Sequence, residues 1–180
     1  MGKVDLIFRK ANEDDIDIVN ELYNSIHEYN ENNNNYPGWA RGVYPTIDTA
    51  KDGIRDGGLF LVFDEEDKLI ASFILRHNGE EGYSFVDWKV ELKEEEVYVI
   101  YTLVVDPQHR GSNYGKYIME YIKEYAKVNS CKAVRLDVYQ NNLPAIKLYE
   151  NCGFVLMDLI DLGYGKYGLD LFCMYQYLLD

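Results

Sequence analysis

Long apolar runs are missing from this sequence. None approaches the ~20 residues a helix needs to cross a bilayer, and the opening MGKVDLIFRK shows no signal-peptide core. Cysteine is scarce. Cys131, Cys152 and Cys173 form no C-x-x-C pair, and an odd count without an export pattern implies reduced thiols and a cytoplasmic location. Three scattered histidines have no zinc spacing, so no metal is expected. Positive charge is short as well: 18 Lys and Arg stand against 31 Asp and Glu, a net charge of −13. A body of that sign repels nucleic acid and anionic membranes, so neither is expected as a partner. No internal repeat and no linker interrupts the chain, which reads as one domain over residues 1–180.

Apolar content is not short. Hydrophobic residues make up 47% of the chain, enough for a packed core, and the 17 tyrosines suit half-buried sheet surfaces. The chain is organised around an unbroken apolar and aromatic run, Val97 to Val105, stopped by Asp106-Pro107. A basic, glycine-bearing turn follows, and then apolar residues at Tyr114, Ile118, Tyr121, Ile122 and Tyr125 mark one face of a helix. Strand, small-residue turn, helix: this layout aims unpaired backbone N–H groups and the positive end of a helix dipole at one point, where a phosphate fits. A nucleoside triphosphate is disfavoured. Only three residues separate Gly111 from Gly115-Lys116, and Tyr117 replaces the Ser/Thr that a Walker A loop needs for magnesium. No G-x-G-x-x-G dinucleotide fingerprint occurs either.

What remains is Arg110-x-x-Asn113-x-Gly115, followed downstream by Asn142-x-x-Ala145-x-x-Leu148-Tyr149 and Gly153-Phe154. The first resembles the pyrophosphate turn of the GNAT acetyltransferase superfamily, Arg/Gln-x-x-Gly-x-Gly/Ala; the second resembles its next signature. The pair spans about residues 97–160. The first motif departs at Asn113, where the family has Gly, but Asn is the residue after Gly that best tolerates a left-handed backbone. In the second, Asn142 suits a helix cap, Pro144 the first turn and Gly153 the helix end.

The element order read from periodicity is β-α-α-β-β-β-α-β-α-β-β, beginning with a strand at Val4 to Lys10. The segment Tyr83 to Trp88 reads as a short extra strand or as loop. The resemblance implies an α/β (α+β) fold: a mixed, mostly antiparallel sheet of six to seven strands flanked by four helices. The family parts two central strands in a V, here the strands at 97–105 and 133–139.

The resemblance also implies a function: transfer of an acetyl group from acetyl-CoA to a primary amine of a small molecule or peptide. By it, Leu103, Val104 and Val105 pair with the pantetheine arm. The turn Arg110, Gly111, Ser112, Asn113, Tyr114, Gly115 and Lys116 holds the pyrophosphate, and Asn142 and Ala145 lie along the arm. Tyr149 is the expected general acid for the departing thiolate, since a phenol near pKa 10 matches an alkyl thiol. Two carboxylates, Asp137 and Glu96, are equal candidates for the base, with solvent a third. Trp39 and Tyr44, in the loop between the first two helices, and Tyr101 are candidate acceptor contacts; for the two loop aromatics, plugging the core is an equal reading. The acidic balance favours a cationic acceptor or serves solubility alone. A non-catalytic acyl-CoA sensor or scaffold of the same fold is the alternative, and edge strands at the C-terminal end are compatible with a homodimer.

Overall fold

The computed structural model describes residues 5–180. Val4, the first residue of the expected opening strand, lies outside the described residues. Among the described residues seven strands are hydrogen-bonded in the order β1-β2-β3-β4-β5-β7-β6, with four α-helices. By contacts the chain forms two compact units, and β4 contributes to both.

Among the described residues, unit 1 comprises 5–35, 39–75 and 101–114. Strand β1 (Ile7–Lys10) pairs antiparallel with β2 (Leu59–Phe63), and β2 with β3 (Leu69–Arg76). The β2–β3 turn is closed by Asp64, whose carboxylate accepts from the backbone N–H of Glu66 and Lys68. Helix α1 (Ile16–Asn32) is entered through a 3-10 turn at Glu13–Asp15 that carries a capping box with Asn12. Asp15, 6% exposed, receives both ends of the Arg9 guanidinium at 2.7 and 2.8 Å. Helix α2 (Ile47–Arg55) starts at a Thr46–Thr49 capping box. Val19, Leu22, Tyr23 and Ile26 of α1 meet Leu59, Leu61, Phe63, Ile74 and Val104 in the core of this unit.

Unit 2 comprises residues 36–38, 76–100 and 115–180. The first part of β4 (Val97–Val105) pairs in parallel with β5 (Ala133–Tyr139), and only over Val97–Ile100. That pairing stops where β4 leaves this unit. Strand β7 (Phe172–Leu178) runs antiparallel to β5 along its whole length and to β6 (Val155–Ile160) on its other side. Helix α3 (Tyr114–Val128) joins β4 to β5, and α4 (Leu143–Asn151) follows β5.

The buried stripe of α3 differs from the expected one. Ile118 and Ile122 are sealed as predicted, but Met119 and Ala126 join them, while Tyr114, Tyr121 and Tyr125 stay half-buried. Tyrosine keeps its hydroxyl near water and so reads as apolar in a periodicity pattern without sitting in the core. Lys123 is buried too. Its ammonium donates to Cys152 O at 2.6 Å and Glu120 Oε1 at 3.0 Å, and lies 4.2 Å from the centroid of the Tyr177 ring. A cation there satisfies a carbonyl at the C-terminal end of α4. Lys123→Met should therefore lower stability by about 1–3 kcal/mol, read as a fall in melting temperature.

The segment expected as an extra strand or loop at Tyr83 to Trp88 is a 3-10 turn (Glu81–Phe85) and a loop. Among the described residues no helix is long and apolar enough to cross a membrane.

Candidate functional site

In unit 1, β4 does not run as a regular strand. Val97 and Val99 are buried, but beyond them the buried positions are Ile100, Thr102 and Val104, so the alternation shifts phase. Thr102 has φ +49, an uncommon conformation for a β-branched residue. Its hydroxyl is hydrogen-bonded to the Tyr44 hydroxyl, which ties the loop between α1 and α2 to the strand at its irregular point. Leu103 and Val105 are half-buried, Val104 buried.

The loop itself is anchored on α1. His27 Nε2–H donates to Pro45 O at 2.8 Å, and Arg41 forks onto Glu31 at 2.9 and 3.2 Å. Trp39 and Tyr44 meet edge to face, ring centroids 5.7 Å apart. Trp39 and Tyr101 are partly buried against the core of the unit, so Trp39 does pack as a core plug.

After β4 the chain makes a 3-10 turn, Pro107–His109, closed by Asp106 accepting from Gln108 N–H. His109 Nδ1 lies 3.3 Å from Asp106 Oδ2. Then come Arg110, Gly111, Ser112 and Asn113, all exposed. Gly111 has φ +79 and Asn113 φ +59. Asn113 thus holds the left-handed backbone where the family pattern has Gly. The turn ends at Tyr114, the first residue of α3, with the unpaired N–H groups of the first helical turn behind it. Lys116 is exposed. At Gly115 an added Cβ would stand 2.8 Å from Leu148 Cδ2, so this glycine lets α3 approach α4 closely.

Unit 2 holds the second group. Tyr149, on α4, is 8% exposed, and its hydroxyl makes no hydrogen bond to a described residue. Burial, then the nearby Asp137 and Cys152, push the phenol well above its ordinary pKa, so it keeps its proton across the neutral range. Asp137, on β5, is partly exposed as a residue while its carboxyl is surrounded by protein; Tyr83 O–H donates to Oδ2 at 2.7 Å. Burial pushes this carboxyl up to about 6 from 3.8, against the lowering hydrogen bond from Tyr83, and Glu80 adds a further push upward. Glu80 in turn accepts from the Tyr164 hydroxyl at 2.8–2.9 Å. The arrangement pairs a proton-bearing phenol with a carboxyl that titrates near neutrality, the combination that proton transfer requires.

The other candidate base sits differently. Glu96, at the start of β4, pairs with Lys132 at 2.5 Å and accepts from Lys93 N–H; the Lys132 contact holds its carboxyl below the ordinary range. Asn142 caps α4, its side-chain oxygen accepting from the half-buried Ala145 N–H at 3.4 Å.

The Acetyltransferase (GNAT) family pattern matches residues 19–154. The chain belongs to the GNAT acetyltransferase family. Among curated relatives, Streptothricin acetyltransferase from Escherichia coli is 37% identical over 54 residues, covering 30% of this chain and 31% of that protein. Spermine/spermidine N(1)-acetyltransferase from Bacillus subtilis (strain 168) is 33% identical over 58 residues, covering 32% of this chain and 38% of that protein. The chain thus matches only about a third of the length of these relatives. A GNAT acetyltransferase structure from Listeria monocytogenes 4b F2365 superposes with a TM-score of 0.76 at 19% identity, covering 99% of this chain and 97% of that one.

Sequence reasoning on this GNAT chain missed Tyr83, Glu80 and Tyr164 around Asp137, and Thr102 beneath Tyr44. For the first group a local signal existed. Gly79 precedes the turn and Gly82 lies in it; an added Cβ would stand 2.4 Å from the Tyr83 ring at Gly79 and 2.4 Å from Leu162 at Gly82, so both glycines mark close packing there.

Proposed function

We propose that this chain is an acetyl-CoA-dependent N-acetyltransferase acting on a primary amine of a cationic small molecule or peptide, with residues 1–180 as one domain. The observation that carries the reading is the turn after β4. Its left-handed Gly111 and Asn113, its exposed Arg110 and Lys116 and the start of α3 together suit a diphosphate. The near-complete coverage of the Listeria structure supports the single domain.

The turn is open at Gly111, where an added Cβ would have nothing within 4 Å, which supports an anion at this point. In this reading the turn from Arg110 to Lys116 holds the diphosphate, and Leu103 to Val105 present backbone groups to the pantetheine arm. Bound acetyl-CoA supplies an activated acetyl thioester. Asp137 takes the proton of the acceptor ammonium, held in line by Tyr83, and Tyr149 gives its proton to the departing sulfur. Asp137 is preferred to Glu96 as the base because a carboxyl at about 6 can accept and release a proton near neutrality, whereas Glu96 is already committed to Lys132. Glu80 beside Asp137 adds negative charge that favours a cationic acceptor. The names of the relatives, which act on streptothricin and on spermine and spermidine, point to the same class.

Thiol release from acetyl-CoA against a panel of amines tests the proposal. Turnover with cationic amines is expected; tight coenzyme A binding with no turnover on any amine would return the sensor reading. Arg110→Ala should weaken coenzyme A binding about tenfold, as loss of one charge-assisted contact does. Combined with Gly115→Trp, which forces α3 off Leu148, binding should be abolished in calorimetry. Far-UV circular dichroism on the same samples separates lost binding from lost fold.

A further inference from the structure

The six arginines of the chain are not used alike. Arg9 is forked onto Asp15, Arg41 onto Glu31 and Asn24, Arg55 reaches Asp52, and Arg135 donates to Gln176. Arg76 is engaged as well. The Arg110 guanidinium, by contrast, donates to no acceptor among the described residues. It lies with its central carbon 3.9 Å from the centroid of the Tyr29 ring, on the last turn of α1. In a chain with 31 carboxylate side chains this is an unusual place for a guanidinium. Glu31, two residues further along α1, is occupied by Arg41 in a two-point contact.

A ring face is a particular kind of support. It attracts the cation through its quadrupole and fixes the plane of the fork, yet consumes none of the five N–H donors, which project from the edge of that plane. A carboxylate in the same position would use two of those donors and cancel the charge. Arg110 directly precedes the left-handed Gly111–Asn113 turn. Its location and its unused donors therefore belong together.

We infer that Tyr29 is a positioning residue for the coenzyme A diphosphate: its ring holds the Arg110 guanidinium beside the turn with every donor available to the anion. This inference rests on the reading of the turn as the cofactor site. Tyr29 touches no phosphate itself and acts through Arg110.

Calorimetric titration with coenzyme A tests it on four variants: Tyr29→Leu, Tyr29→Phe, Arg110→Ala and the Tyr29→Leu/Arg110→Ala pair. Tyr29→Leu should weaken binding by about two- to fivefold, the scale of a solvent-exposed cation–ring contact. Tyr29→Phe, which keeps the ring, should bind as the parent does. In the Arg110→Ala background, Tyr29→Leu should add nothing. Pantetheine, which lacks the diphosphate, should bind parent and Tyr29→Leu equally. In turnover, KM for acetyl-CoA should rise by the same factor with kcat unchanged. Parent-like coenzyme A affinity in Tyr29→Leu, an equal loss in Tyr29→Phe, a loss that persists without Arg110, or a loss shared by pantetheine would each overturn the inference. Should Arg110→Ala itself leave affinity untouched, the cofactor reading falls and this inference with it. Should Arg110→Ala weaken binding while Tyr29→Leu does not, the inference alone falls.

Discussion

Replacing Tyr149 by phenylalanine is expected to lower turnover by roughly tenfold to a thousandfold, with little change in affinity for acetyl-CoA and no loss of stability. The three parts of that expectation have one origin. The Tyr149 ring is buried, so the isosteric Phe keeps its packing, including the contact with Phe154 at 6.1 Å between centroids. Its hydroxyl has no protein partner among the described residues, so deleting it breaks no hydrogen bond of the fold. Removing a polar group that gains nothing from the protein is neutral or slightly stabilising. Any function the hydroxyl has must then lie toward a ligand. A general acid that acts only as sulfur departs contributes to the transition state and not to ground-state binding, so kcat falls while the dissociation constant stays. Steady-state kinetics, a coenzyme A titration and a thermal melt on one preparation check all three. Parent-like turnover would remove Tyr149 from the mechanism.

The order of elements was legible because it rests on short-range periodicity. The run from Val97 to Val105 reads as a strand through its unbroken apolar and aromatic residues. Asn113 was legible for a sharper reason: one residue type was needed where the chain turns left-handed, and Asn is the one that tolerates it after Gly. The surroundings of Asp137 were not legible. Tyr83 reaches it across 54 positions, from a turn whose residues show neither helical nor strand period. Nothing in the local pattern of residues 77–96 says which strand that turn will cover. Thr102 illustrates a different limit. Its β-branched side chain favours an extended backbone, yet it sits at φ +49 with its hydroxyl bonded to Tyr44, 58 positions away. A tertiary contact there overrides the local preference, and a single sequence carries no trace of it. Tyr29 and Arg110 stand further apart still in the chain, and neither is unusual until the fold brings ring and guanidinium together.

Asp137→Asn should show opposite effects on turnover and on stability, and their pH dependence gives the sharper test of the proposed base. In the parent, a base that titrates at about 6 makes turnover rise with pH up to that value and level off above it. Tyr149 keeps its proton throughout this range and adds no falling limb there. Asparagine retains an oxygen for the Tyr83 hydroxyl but cannot take a proton. Turnover should fall by roughly a hundredfold or more, and the limb near pH 6 should vanish with it. Stability moves the other way. The carboxyl is raised in the folded state because burial disfavours its charge, so its contribution is fully present below the unfolded value of 3.8 and is lost as pH rises through about 6. At pH 7 the parent therefore carries an ionised, desolvated carboxylate that the variant lacks. The gap between 3.8 and about 6 corresponds to an upper bound of about 3 kcal/mol in favour of the variant at neutral pH, shrinking toward zero below pH 4. Melting curves and rate profiles collected from pH 4 to 8 on both proteins read the two effects independently. A variant that keeps the limb near pH 6 would move the base elsewhere, to Glu96 or to solvent. A variant that loses turnover with no gain in melting temperature at neutral pH would show that Asp137 is ionised in the fold without cost, and that its carboxylate is held by something other than the Tyr83 hydroxyl alone.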